Sequence, residues 1–195
     1  MKFAEVERCR LAETLLSVGP DAPTLCEGWT TLDLAVHLYV RENRLDAAAG
    51  IFIPLFKDRL ETVSREVASW GYESVVKKWA KGPRWPVPAQ MNTAEHFVHH
   101  EDVLRAQEGW NGPRALNESE EKELYASLKM MAPMLLKDQP VPVMVEPTGF
   151  GRFVAADKHG VAENGSDVLR VSGPVGEIFM WAFGRNVYRG LIKSR

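Results

Sequence analysis

Between Phe3 and Leu136 the sequence is divided by Gly and Pro into segments of helical period, and past Pro140 it turns to short β-prone runs. Such a division predicts a mainly α protein, a helical bundle followed by a small α+β unit. Residues from about Phe3 to Val18 place Val6, Cys9, Leu11, Leu15 and Leu16 on one stripe, and Gly19-Pro20 stops that helix. Thr30 reads as an N-cap with Asp33 at the capping-box position, opening TLDLAVHLYVRENRLDAAAG, which runs to about Gly50. A third helix over about Lys57 to Lys81 is expected to be interrupted or bent near Gly71, and the prolines of GPRWPVPAQ make that stretch a loop. Asn92 or a neighbour opens AEHFVHHEDVLRAQEGW, closed by Gly109 and the Asn111-Gly112-Pro113 turn. Asn117 and Glu120 repeat the capping-box pattern for a helix from about Glu118 to Leu136, with Pro133 expected to bend or shorten it.

Beyond Pro140, VPVMVEP and GRFVAAD read as a hairpin joined by Thr148-Gly149-Phe150, VLRVSG as a third strand, and PVGEIFMWAFGRNVYRGLI as a closing helix. This predicts a bundle over residues 1–138 and a small α+β region over 139–195.

A formal charge of -2, with basic residues scattered among acids, argues against nucleic acid as the main partner. No apolar run approaches the roughly 20 residues of a membrane span. The opening segment has no signal-peptide core, so a cytoplasmic protein is expected. Cys9 and Cys26 are expected as free thiols, and the absence of CxxC excludes a thiolate-rich zinc site.

The chemistry concentrates in EHFVHHED, residues 95–102, which holds three of the five histidines. Residues four apart on a helix point the same way, so Glu95 with His99, or His96 with His100, can share a cation. Helical phase favours Glu95/His99, which share an arc with Asp102 and Ala106, but Phe97 and Leu104 lie opposite and blur it. His37, among Leu34, Val36, Leu38 and Val40, is a third ligand facing the bundle interior. Two imidazoles and a carboxylate suit zinc with one open position, and nickel, iron or manganese accept the same donors. The bland readings stand beside this one: His37 as a core histidine, Glu95 as a capping-box partner of Asn92, and HHED as a solvated face.

LCEGWTTLDLAVHL, residues 25–38, resembles the segment of DinB-like bundle proteins that leads into the ligand-bearing helix. EHFVHHEDVLRAQ resembles the ligand helix of their mycothiol-dependent maleylpyruvate isomerase branch. VSGPVGEIFMWAFGR, residues 171–185, resembles the C-terminal appendage of those enzymes. The resemblance implies a DinB-like four-helix bundle and metal ligands at His37, Glu95 and His99. It also implies a low-molecular-weight thiol such as mycothiol and a small electrophilic substrate, in S-transfer or isomerisation. Arg185, matching the Gly-Arg of that appendage, is the implied anchor for an anionic substrate, with a C-capping arginine as the alternative.

Asp102 is placed to orient His37 or His99, or else to pair within the bundle. Cys26, with no base in view, reads as a packed side chain; Trp29, Trp79, Trp85, Trp110 and Trp181 read as anchors, and His159 as a turn residue. Two functions follow as expectations: a metal-dependent thiol transferase or isomerase, or a non-catalytic metal-binding protein of stress or detoxification. Bundles with exposed apolar helix faces often dimerise, which leaves a homodimer open.

Overall fold

In a computed structural model, residues 2–51, 53–157 and 167–195 are described. Their helices are α1 (Phe3–Val18), α2 (Thr31–Asn43), α3 (Leu45–Ala48), α4 (Lys57–Ala68), α5 (Tyr72–Ala80), α6 (Ala89–Ala106), α7 (Glu118–Leu135) and α8 (Val175–Ala182). The strands are β1 (Val143–Pro147), β2 (Phe153–Ala156), β3 (Leu169–Gly173) and β4 (Ile192–Ser194). The protein is mainly helical with a small C-terminal sheet, and His159 lies outside the described residues.

Two compact units divide the chain, Met1–Trp110 and Asn111–Arg195. In the first, α1 packs on α6 and α5, and α2 on α5 and α4. Leu11, Leu15, Leu34, Leu38, Val76 and Trp79 are fully buried in its core, and each large side chain so buried contributes roughly 1.5–3 kcal/mol.

The buried face of α1 differs from the expected stripe. Cys9 is exposed and Leu16 is 40% exposed, whereas Glu7 and Arg8 are buried. The reason is pairing: Arg8 Nη2 lies 2.6 Å from Glu42 Oε2, and Glu7 Oε2 lies 3.1 Å from His100 Nδ1. A buried charge is tolerable only when matched in this way, and hydropathy alone does not see the match.

The α2 cap forms as expected. The Thr30 hydroxyl accepts from the Asp33 amide, and the Asp33 carboxylate accepts from the Thr30 amide at 2.9 Å. The helix stops at Asn43 rather than near Gly50, and the short α3 follows. The third expected helix is interrupted rather than bent, into α4 and α5 separated at Gly71, whose φ of +83° a side chain would resist. Helix α6 starts at Ala89 behind Pro88, so Glu95 sits well inside it. Asn92 is also helical, and its side chain accepts from Arg41 Nη1 at 3.1 Å; the capping-box reading of Asn92 and Glu95 therefore fails.

In the second unit the sheet order is β2-β1-β3-β4. Strands β1 and β2 form the antiparallel hairpin, and β3 runs parallel to β1. Helix α7 contains Pro133 without ending there and packs with α8 and β2. The closing helix is shorter than its sequence suggested: Gly184, with φ +80°, turns the chain, and β4 takes the last residues antiparallel to β3.

Candidate metal centre

Helices α2 and α6 bring His37, Glu95 and His99 together. His37 Nε2 lies 3.8 Å from Glu95 Oε2, and His99 Nε2 lies 3.4 Å from the same oxygen. The two imidazole rings meet edge to face with centroids 5.3 Å apart. One donor atom from each residue fits within a 4.8 Å span. The first of the two contacts to Glu95 is weak at that length and the second is a long hydrogen bond. The shorter equals the edge of a tetrahedron about a metal with bonds near 2.1 Å, about 3.4 Å, and the longer exceeds it.

The other register is engaged elsewhere. His96 Nδ1 is 2.8 Å from the Ala4 carbonyl and its Nε2 is 2.8 Å from Glu42 Oε1. Both nitrogens are occupied by oxygens at hydrogen-bond distance, so neither is open to a cation. His100 is held between Glu7 and the Thr14 hydroxyl, the latter at 2.9 Å from Nε2. The solvated-face reading of this segment is corrected accordingly: His96, His99, His100, Glu101 and Asp102 are all buried.

Asp102 supports His99. Its Oδ2 is 3.0 Å from His99 Nδ1 and accepts from the Cys26 thiol at 3.3 Å. The carboxylate fixes a proton on Nδ1 and leaves Nε2 as the nitrogen turned toward Glu95 and His37. Cys26, His99 and Asp102 also lie close enough to hold an ion, but they bond to one another. His99 Nδ1 is 3.9 Å from Cys26 Sγ and committed to Asp102, so it is not a base for the thiol.

Arg41, one turn along α2 from His37, was missed by the sequence reading. Its Nε lies 3.4 Å from Glu95 Oε2, and the i, i+4 spacing from His37 was the available signal. Burial pushes the Glu95 carboxyl up, but His37 and His99 bonds and the Arg41 charge outweigh this and hold it well below its usual range. Burial pushes His37 down, more than Glu95 raises it, so its ring stays neutral more readily. Burial would also lower His99, yet Asp102, Cys26 and Glu95 hold it well above the ordinary histidine value.

The loop before α2 closes over the centre. The Leu25 amide donates to the Asp102 carbonyl at 3.1 Å, and the Thr24 hydroxyl donates to the Trp29 carbonyl at 3.0 Å. Trp29 is partly exposed, its ring tilted on His37 at 5.1 Å between centroids. Trp79 is the buried anchor expected, donating to Glu42 at 3.1 Å, while Trp85 is exposed. Arg185 belongs to the second unit, just past α8, where Nη1 donates to the Phe183 carbonyl at 2.8 Å. No helix among the described residues is long and apolar enough to cross a membrane.

No family model and no curated protein matches the sequence. A solved structure, that of a mycothiol-dependent maleylpyruvate isomerase, is similar with a TM-score of 0.60 at 17% sequence identity. The match covers 98% of this chain and 90% of that one. At this identity the likeness establishes the fold alone, a mainly helical chain with a small C-terminal sheet.

Proposed function

We propose that the protein is a metal-dependent enzyme that uses a low-molecular-weight thiol, of the mycothiol kind, on a small electrophile by S-transfer or isomerisation. One observation carries this reading: a donor atom from each of His37, Glu95 and His99 lies within a 4.8 Å span, close enough for one cation to be shared. The donor set suits zinc, and nickel, iron or manganese would also fit. The similar structure, whose description names a mycothiol-dependent isomerase, supports the choice of a thiol.

A divalent cation bound there would favour thiolate over thiol at neutral pH. The chain's own residues prepare that chemistry. His37, His99 and the Arg41 charge keep Glu95 anionic, Asp102 sets the His99 tautomer, and the Trp29 ring limits the freedom of His37.

The test is metal content beside turnover of a thiol-reactive electrophile with added thiol. One metal per chain is expected, with turnover lost on chelation and in His37→Ala. Unchanged turnover after full metal removal would sink the reading. Stoichiometric metal, with no turnover and no thermal shift from any thiol, would assign a non-catalytic metal-binding protein instead.

A further inference from the structure

His37 is shared between two spaces. Besides standing among the three donors, it lines a cleft of about 290 Å³ where α2 faces α4. The apolar walls are Trp29, Leu32, Val36, Leu60 and Ala68, and the polar groups other than His37 are Asp33, Ser64 and Arg65. The Asp33 carboxylate is occupied by the Thr30 amide and hydroxyl. Arg65 is exposed, bonded only at 3.4 Å to the Glu61 carbonyl, with no carboxylate in ion-pair distance among the described residues. The cleft therefore offers apolar walls, a hydroxyl, the Asp33 carboxylate turned to its own Thr30 cap, and an Arg65 guanidinium free to meet an anion.

We infer that this cleft binds the electrophile of the proposed reaction, as a compound with an apolar, ring-sized body and a single anionic end. The body lies against Trp29 and Leu60, and the anion meets Arg65. The word electrophile rests on the functional reading above; the binding site does not, since it stands on the cleft alone. The volume lies at the small end of ligand pockets, which start near 300 Å³, and suits one or two fused rings. A polyhydroxylated thiol fits poorly, because hydroxyls pressed on these walls would give up their water without gaining a partner. A small dianion fits poorly too, because its second charge would face leucine and valine. Because His37 forms part of the wall, a ligand here lies beside the donor cluster.

The test uses 2-naphthoate, neutral 2-naphthamide and the dianion succinate, titrated by calorimetry into metal-free and zinc-loaded protein. Expected are binding of 2-naphthoate to both forms, no measurable succinate binding, and a shift of the His37 ring resonances but not those of His100. Leu60→Glu should weaken 2-naphthoate about tenfold or more by placing a charge on the apolar wall. Arg65→Met, an exposed change, should weaken 2-naphthoate roughly threefold and leave 2-naphthamide unaltered. Both variants should keep their zinc. Succinate binding as tight as 2-naphthoate, or 2-naphthoate binding indifferent to both substitutions, overturns the inference. If the binding results hold while zinc-loaded protein with thiol turns over no aryl electrophile, the ligand site stands and the proposed function falls.

Discussion

Replacing Asp102 by asparagine keeps the shape of the side chain, exchanges one oxygen for an amide nitrogen and removes a fully buried negative charge. The hydrogen bond at stake, 3.0 Å to His99 Nδ1, involves a charged partner, and such bonds contribute about 1.5–3 kcal/mol. Only the part felt at Nε2 bears on a cation, so zinc affinity should fall by about 10- to 100-fold, or roughly 1.4–2.7 kcal/mol. The loss should depend on pH. The same carboxylate makes His99 a better donor and a better base, holding its proton well above the ordinary histidine value. At low pH zinc must displace that proton, so removing Asp102 weakens zinc and its competitor together and the difference narrows. At pH above the raised His99 value the competition ends and the full loss appears. Zinc affinity is read by competition with a chromophoric chelator from about pH 6 to 9, with circular dichroism confirming the fold. A loss below about threefold at the alkaline end, or one that does not change with pH, would refute the argument; a purely structural role would yield the second.

Zinc loading at neutral pH should release about one proton, because the metal-free His99 holds one there while His37, shifted the other way, does not. Calorimetry in buffers of different ionisation enthalpy measures it, and heats identical across buffers contradict the prediction. Glu42 is buried against Arg8, His96 and the Trp79 indole, so Glu42→Ala should destabilise the first unit by about 3–5 kcal/mol in urea melts at pH 7. Burial pushes Glu42 up, but His96 and Arg8 bring it below its ordinary 4.5. Its contribution is therefore full above that pH and lost on acidification, and the variant should show a shallower acid limb than the parent.

Much of the fold was legible because punctuation is local. Thr30 with Asp33, Asn117 with Glu120, and the β-prone runs after Pro140 each announce themselves within a few residues. What stayed hidden depends on distant partners. Glu7 and Arg8 are polar in sequence yet lie on the buried face of α1, because Glu42 and His100 stand opposite them. The three-histidine segment shows the same limit. Its period put Glu95 and His99 on one arc, but His96 and His100 lose their place beside a cation only through Ala4, Glu42, Glu7 and Thr14. The cleft was illegible for another reason: Leu60, Ser64 and Arg65 form no motif and meet His37 only when α4 lies against α2.

The loop from Pro20 to Trp29 is tied at its middle to α6 through Leu25 and Asp102, and across its mouth by the Pro23–Thr30 bridge and the Thr24 hydroxyl. Its conformational entropy is thus given up during folding rather than on encounter with a ligand. The wall that Trp29 builds beside His37 stands ready, and discrimination there rests on the shape already present. A preference for a new ligand would then follow from exchanging side chains on that wall, with the loop left as it is.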